Sequence, residues 1–134
     1  NNSVQIFNIS AANNSPYSDV TLDSLALIGG SATFGGAVQV NHGYYDYTGD
    51  LIITNCFFAN NSASSGGGAV AARRISNNNA WSSSISVDIS NSTFKNNNAV
   101  NGGAIYLVMS NDGSLGVSTV LNIDNSSILN NTAS

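Results

Sequence analysis

Seven aspartates are the side chains best suited to acid–base chemistry in this sequence, which contains no glutamate. They are Asp19, Asp23, Asp46, Asp50, Asp88, Asp112 and Asp124. Glycoside hydrolysis needs two clustered carboxyl groups, one acid and one base. Asp88 precedes Ile89 whereas Asp124 follows Ile123, so we expect this near-equivalent pair to face differently. We therefore predict no enzymatic activity, with a polysaccharide lyase or hydrolase as an alternative.

Metal, cofactor and nucleophile motifs are missing from the sequence. His42 is the only histidine and Cys56 the only cysteine, and neither has the neighbours of a catalytic triad or a zinc site. The glycine-rich run 65–68 lacks the Lys-Ser/Thr of a phosphate loop. No D-x-D or D-x-[DN] calcium motif occurs. We expect no cofactor and no metal.

Aromatic and charged residues collect in three segments, 41–50, 73–86 and 109–118. The members suited to binding a sugar or a protein are His42, Tyr44, Tyr45, Asp46, Tyr47, Asp50, Arg73, Arg74, Trp81 and Asp112. If these segments are loops on one side of a repeat fold, they form a ligand- or partner-binding face, with glycans as one class of ligand. The alternative is that the tyrosines and the tryptophan only cover the flank of the fold.

Composition excludes several classes of protein. Charged residues make up 7% of the 134 residues, with 3 Lys and Arg in total and a net charge of −4. Three cations cannot follow a phosphate backbone, so we predict no nucleic-acid binding. No apolar run reaches the roughly 18 residues of a membrane span. Abundant Asn, Ser and Gly disfavour helices, and the chain is predicted to be all-β.

An internal repeat organises residues 22–134. The pattern I-x-N-[SC]-x-[FI]-x-N-N-x-A followed by G-G-A-[VI] recurs, with anchors at Leu22, Ile53, Ile89 and Ile123. We predict a β-solenoid of about four coils, namely 22–52, 53–88, 89–122 and an incomplete 123–134. Asn and Gly are expected at the corners because both tolerate a left-handed backbone.

Stacked coils place equivalent side chains above one another. Phe58, Phe94 and Ile128 are predicted to form an internal stack. Two asparagine ladders are predicted, one of Asn55, Asn91 and Asn125 and one of Asn61, Asn97 and Asn131. Amides repeated at the strand spacing of about 4.8 Å can hydrogen-bond along the axis. We expect the amides of Asn91 and Asn125 to turn inward.

The repeat resembles that of the chlamydial polymorphic membrane proteins. Phe58…Asn61 and Phe94…Asn97 match its F-x-x-N half, and residues 102–105 match its GGAI half. The first copy departs from it, with Gly29-Gly30-Ser31 where F-x-x-N is expected. The resemblance implies a right-handed parallel β-helix and an adhesin-like role outside the cell, without catalytic residues.

Glycosylation sequons of the form N-x-[ST] are frequent, as this composition predicts. The candidate acceptors are Asn8, Asn13, Asn60 and Asn130. Asn91 and Asn125 also lie in sequons but are disfavoured if their amides turn inward. Low charge and abundant Asn, Ser and Gly favour an extracellular or cell-surface location.

The two ends of the repeat predict self-association. Residues 123–134 begin a further copy and stop before its Gly-Gly strand, which leaves Ile128 and an open edge uncovered. Residues 1–21 form a lead-in segment in which 4–9 alternate like a strand outside the repeat. That strand could complete the unfinished coil of a neighbouring copy, and a head-to-tail contact generates a filament. The alternative is a piece cut from a longer protein.

Overall fold

The computed structural model describes residues 4–10, 19–42, 49–75, 83–110 and 117–134. Within these ranges the chain forms sixteen β-strands and no helix. In that part of the chain, accordingly, no helix has the length and apolar character that crossing a membrane requires.

The sixteen strands of the described residues form four sheets of four strands each. Sheet I contains β1 (Phe7–Ser10), β5 (Val38–His42), β9 (Val70–Ile75) and β13 (Ile105–Ser110). Sheet II contains β2 (Val20–Asp23), β6 (Asp50–Thr54), β10 (Ser83–Ser90) and β14 (Val117–Asp124). Sheet III contains β3 (Ala26–Ile28), β7 (Phe57–Ala59), β11 (Thr93–Lys95) and β15 (Ser127–Leu129). Sheet IV contains β4 (Ser31–Phe34), β8 (Ser62–Gly66), β12 (Asn98–Asn101) and β16 (Thr132–Ala133).

The chain visits the sheets in rotation, and every strand pair is parallel. Coil 1 consists of β2–β5, coil 2 of β6–β9, coil 3 of β10–β13 and coil 4 of β14–β16. The repeat unit predicted from the sequence is therefore one circuit of the sheets, and the arrangement is that of a β-solenoid. Ile53, for example, pairs with Leu22 in the coil before it and with Ile89 in the coil after it.

Because side chains alternate along each strand, every second side chain points into the interior of the coils. Val87, Ile89 and Phe94 of coil 3 are buried, as are their counterparts Leu51, Ile53 and Phe58 in coil 2. In coil 4 the register places Leu121 opposite Val87. The core is a set of columns of like residues that run along the axis.

The corners contain backbone in the left-handed region. Between sheets II and III the residues with positive φ are Ser24, Asn55, Asn91 and Asn125. Between sheets III and IV they are Gly29, Asn60, Asn96 and Asn130. Asn and Gly are the residues that adopt this conformation at least cost, which confirms their predicted place at corners.

The Gly-Gly-Ala motif forms the corner that leads into sheet I. Gly67 has a φ of +67°, which favours glycine. Gly68 is required for a different reason, because a Cβ at this position would lie 2.6 Å from the backbone nitrogen of Asn98 in the next coil. The second glycine of the motif thus lets the backbones of successive coils approach each other.

The lead-in segment differs from the sequence prediction. Residues 1–21 were expected to lie ahead of the repeat, with a strand available to a neighbouring copy. In the structure β1 instead pairs with β5 of its own chain, with Phe7 opposite Val38 and Ile9 opposite Val40. Of the apolar residues in 4–9, Ile9 packs against the core, whereas Val4, Ile6 and Phe7 are exposed. The outer edge of β1 pairs with no strand among the described residues.

Candidate functional site

The second asparagine column forms a continuous hydrogen-bonded ladder inside the corner between sheets III and IV. Oδ1 of Asn97 accepts bonds from the backbone nitrogen of Asn61 at 3.0 Å and from its Nδ2 at 2.9 Å. Oδ1 of Asn131 accepts the same two bonds from Asn97, at 2.9 Å and 2.8 Å. Each Nδ2 also donates to the carbonyl of the residue at the phenylalanine position one coil earlier, as Asn97 does to Phe58. The predicted ladder of Asn61, Asn97 and Asn131 is confirmed.

A serine column repeats this direction at the corner between sheets II and III. The Oγ of Ser92 accepts a bond from the backbone nitrogen of Cys56 at 3.0 Å. The Oγ of Ser126 accepts the equivalent bond from Ser92 at 3.0 Å. In both columns a side-chain oxygen of each coil therefore satisfies a backbone N–H of the coil before it. Cys56, whose thiol is free and buried, occupies the position of this column in coil 2.

The aromatic column lies beside the asparagine ladder. The rings of Phe58 and Phe94 are stacked, with centroids 4.6 Å apart and planes inclined by 3°. The column begins at Leu27, which pairs with Phe58, and ends at Ile128, which pairs with Phe94. The first copy thus has Leu27 at the F position and Gly30 at the N position of F-x-x-N, and Gly30 donates its backbone N–H to Asn61 Oδ1 at 2.8 Å.

The first asparagine column faces outward, which corrects the predicted inward orientation. Asn55, Asn91 and Asn125 are all exposed, because their left-handed backbone turns the side chains to the surface. Nδ2 of Asn125 donates to Oδ1 of Asn91. Nδ2 of Asn55 instead donates to Asp23 at 2.9 Å. Among the described residues the predicted ladder is therefore reduced to the bond between Asn91 and Asn125. Because both residues are exposed, an inward orientation does not disfavour their glycosylation.

Among the other sequon residues, Asn8, Asn60 and Asn130 are exposed in the structure. Asn60 and Asn130 occupy equivalent corner positions. Asn13 lies outside the described residues. Glycan attachment at these sites stays a prediction.

Only part of the predicted loop face lies within the described residues. Arg73 and Arg74 are on β9, and the backbone of His42 pairs with that of Arg74. Asp50 is the first residue of β6. The remaining predicted members lie outside the described residues, namely Tyr44, Tyr45, Asp46, Tyr47, Trp81 and Asp112. The contacts of the described residues therefore do not bring the predicted members of this face together.

The two arginines point to opposite sides of sheet I. Arg74 follows the buried residues Val70 and Ala72 in the alternation and is only 3% exposed. Among the described residues, its Nε and Nη2 have no hydrogen-bond partner. These two nitrogens form the edge of the guanidinium that binds a carboxylate in a bidentate manner. A buried guanidinium is destabilising unless an anion or other acceptor compensates its charge. Arg74 is therefore a candidate for binding an anion.

Arg73 lies on the outer side and belongs to an aromatic cluster that the sequence did not indicate. Its guanidinium carbon is 3.5 Å from the centroid of the Phe34 ring, a cation–π contact. The Phe34 and Tyr106 rings stack with centroids 6.2 Å apart. Gly66 pairs with Phe34, and a Cβ on it would lie 2.6 Å from the Tyr106 ring. The lack of a side chain at Gly66 therefore makes room for the cluster.

The outer surface of sheet II carries carboxylates. Burial, followed by the charges of Asp19 and Asp88, raises the pKa of Asp50 above its ordinary value. At the far end of β2, hydrogen bonds from Asn55, Thr54 and Ser24 lower the pKa of Asp23. Within the described ranges, no three His, Cys, Asp or Glu side chains are grouped so as to hold a metal ion.

The predicted difference in orientation between Asp88 and Asp124 is wrong. Asp124 pairs with Ser90, two residues after Asp88, so both aspartates lie on the outward side of the strands. Nδ2 of Asn122 donates to Asp88 at 2.6 Å. The register therefore places an amide, and not a second carboxylate, directly beside Asp88.

A shallow groove of about 360 Å³ crosses the surface of sheet IV. Its lining consists of small and polar residues, Ser31, Ala32, Thr33, Ser62, Ala63, Ser64 and Asn98. Its serine and threonine hydroxyls and the amide of Asn98 can hydrogen-bond a polar ligand, and its methyl groups can contact the ligand's apolar parts. The groove lining supplies no group that titrates near neutral pH, so the groove offers surface contact and no acid–base pair.

The ends of the coil stack are stepped in a complementary way. Sheet I gains the extra strand β1 before coil 1, and coil 4 contains strands of sheets II, III and IV only. Apolar side chains are exposed at both ends. Those of the last coil include Leu121, Ile123, Ile128 and Leu129, and those of the first coil and its lead-in strand include Val4, Ile6, Phe7, Leu25 and Ile28.

Comparisons with family models, with curated proteins and with solved structures give no significant match to this chain. The resemblance to the chlamydial repeat stays a prediction.

Proposed function

We propose that this protein is a non-enzymatic structural or adhesive module of an extracellular fibre or surface stalk. It contributes a short right-handed parallel β-helix that stacks end to end with further coils. The observation that carries this proposal is the last coil interface. Coil 4 extends the same asparagine, serine and apolar columns as the coils before it, and Ile128 in its apolar column is 47% exposed.

The right-handed sense of the coils is part of the proposal. Each coil returns to the same sheet through a crossover between parallel strands. Such connections are right-handed in about 98% of cases, because a right-handed twist of the strands favours that return path.

The use of the buried polar groups supports a structural role. Asn61, Asn97 and Ser92 are buried, and their side chains bond to neighbouring coils. A buried network of this kind is stabilising when every member is satisfied, and it fixes one register between coils.

A carbohydrate-binding surface is the second candidate function. The observation in its favour is the cluster of Phe34, Tyr106 and Arg73, the last of which is a predicted member of the binding face. Aromatic rings next to a cation can stack on a sugar and hydrogen-bond its hydroxyls. A glycan array with the wild type and a Tyr106→Ala variant separates a binder from a scaffold.

Addition of one coil to the chain tests the main proposal. A second copy of residues 101–134 joined after Ser134 supplies the missing strand of sheet I and then a further circuit through sheets II, III and IV. We expect the lengthened chain to keep its β-sheet circular dichroism per residue and to unfold at a higher urea concentration. A copy that stays protease-sensitive and leaves the unfolding midpoint unchanged would contradict the proposal.

An enzymatic role has a separate test. Turnover of pectin-like or other acidic polysaccharides, lost on replacing Asp46 or Asp124, would overturn the non-enzymatic part of the proposal. A reducing-sugar assay on the wild type detects this turnover directly.

A further inference from the structure

The outer face of coil 4 presents a fixed set of hydrogen-bond donors. In the two preceding interfaces, the backbone N–H of the serine-column residue donates to a hydroxyl of the next coil. The backbone N–H and the Nδ2 of the asparagine-column residue both donate to one amide oxygen of the next coil. In coil 4 the same donors belong to Ser126 and Asn131. Among the described residues the backbone nitrogens of these two have no acceptor.

The first coil of this chain lacks the matching acceptors. Ala26 pairs with Phe57 and Leu27 with Phe58, so Leu25 occupies the position that Cys56, Ser92 and Ser126 hold in later coils. Gly30 occupies the position of the column asparagines and takes part in the ladder only through its backbone N–H. Neither Leu25 nor Gly30 has a side-chain oxygen.

We propose that the outer face of coil 4 binds a β-helix coil that carries a serine and, five residues later, an asparagine, as coils 3 and 4 themselves do. This inference rests on the proposed stacking function and identifies the partner of that end. The first coil of a second copy could stack on coil 4, because its β1 could supply the sheet I strand that coil 4 lacks. Its Leu27 could then extend the apolar column beyond Ile128. It would nevertheless leave the donors of Ser126 and Asn131 without side-chain acceptors. Buried donors without partners weaken an interface more than lost bonds at the surface.

The hydrogen bonds of the serine and asparagine columns run in one direction along the axis, and this direction determines which coil can bind to coil 4. In both columns the side-chain oxygen that accepts belongs to the later coil, and the backbone N–H that donates to it belongs to the earlier coil. An incoming coil must therefore supply the acceptors for these donors of coil 4. The lead-in strand β1 and the first coil form the other end, where Val4 accepts a bond from the backbone nitrogen of Ser31. That end is thus partly closed by its own chain.

The lengthened chain with the second copy of residues 101–134 provides the test. One form carries the unaltered copy, a second carries Ser126→Ala and Asn131→Gly in the added copy only, and a matched control carries Ser127→Ala and Asn122→Ala there. The control replaces one serine and one asparagine that lie on the outer surface in coil 4. The original 134 residues stay intact in all three forms, so their fold is not at risk. The readout is amide hydrogen exchange at the original Ser126 and Asn131, together with the urea midpoint.

We expect the unaltered copy and the control to slow exchange at both amides by roughly 100-fold or more. The Ser126→Ala and Asn131→Gly form should lose most of this protection and the gain in midpoint, and unmodified chains should stay monomeric in sedimentation velocity. Equal protection in all three forms would overturn the inference while leaving the stacking function intact. Head-to-tail polymers of the unmodified chain would overturn it in the same way. Failure of even the unaltered copy to dock would contradict both.

Discussion

Asn97 donates from Nδ2 to Oδ1 of Asn131 at 2.8 Å, although the two residues are 34 positions apart in the chain. The bond links coil 3 to coil 4 and is the second step of a ladder that starts at Asn61. Asn97 is fully buried, so each of its polar atoms depends on a protein partner.

Replacement of Asn97 by alanine should therefore be among the most destabilising single changes in the chain. It removes the acceptor for two bonds from Asn61 and the donor for bonds to Phe58 and Asn131. We expect a loss of about 3–5 kcal/mol in the free energy of unfolding, measured by urea denaturation. Asn98→Ala is the matched control, since Asn98 is exposed, and should change stability by less than about 0.5 kcal/mol. Similar losses for the two variants would contradict the ladder.

The aromatic column should tolerate a change of residue type but not a loss of volume. Phe94→Leu keeps an apolar side chain of the kind that Leu27 places in the same column, and should cost less than about 1.5 kcal/mol. Phe94→Ala leaves a cavity against Phe58 and should cost about 3–5 kcal/mol. Equilibrium unfolding with unchanged m-values tests both. A larger loss for leucine than for alanine would be incompatible with a packed column.

Two glycine variants separate backbone strain from close approach between coils. Gly29 has a φ of +73° and open space where a Cβ would lie, so Gly29→Ala should cost only about 1 kcal/mol from strain. Gly68→Ala would force a Cβ against the backbone of Asn98, and should cost about 3 kcal/mol or prevent folding. Thermal unfolding of the two proteins, with circular dichroism as the check on folding, makes the comparison. Equal shifts would show that coil spacing does not depend on Gly68.

The free energy of unfolding should depend on pH through the carboxylates of sheet II. The pKa of Asp50 is raised by burial and by Asp19 and Asp88, so its ionised form opposes folding. Asp50→Asn should therefore stabilise the protein at pH 7, by less than about 1 kcal/mol because the group is partly exposed. The gain should vanish as the pH falls below about 4, where the carboxyl is protonated in both states.

Asp23 provides the control of opposite sign. Its pKa is lowered by hydrogen bonds from Asn55, Thr54 and Ser24, so its carboxylate stabilises the folded state above the ordinary aspartate pKa. Asp23→Asn should reduce stability at pH 7, and the difference should shrink as the pH falls through the lowered pKa. Urea midpoints between pH 2.5 and 7 test both variants. The same sign for Asp23→Asn and Asp50→Asn would contradict these assignments.

The repeat could be predicted from the sequence because its columns are made of like residues. Asn61, Asn97 and Asn131 recur at a nearly constant spacing, and that recurrence alone places them above one another. The orientation of the neighbouring column could not be predicted in the same way. Asn55 and Asn91 have the same side chain as the inner asparagines, and only their left-handed backbone directs them outward.

Contacts between unlike residues were the hardest part to predict. Phe34 and Tyr106 are in different sheets and stack across Gly66, so no periodic pattern links them. The role of Gly30 was also missed, because the first copy has no asparagine and only the strand register aligns it with Asn61.

The length of the molecule as coils are added tests the central claim most directly. Proteins with zero to four added copies of residues 101–134 can be compared by small-angle X-ray scattering, with circular dichroism recorded on the same samples. If the last coil is a docking end for further coils, the maximum dimension should rise by about 4.8 Å for each copy, with a constant β-sheet signal per residue. Dimensions that grow as those of a flexible tail, with a falling β-sheet signal per residue, would contradict the account.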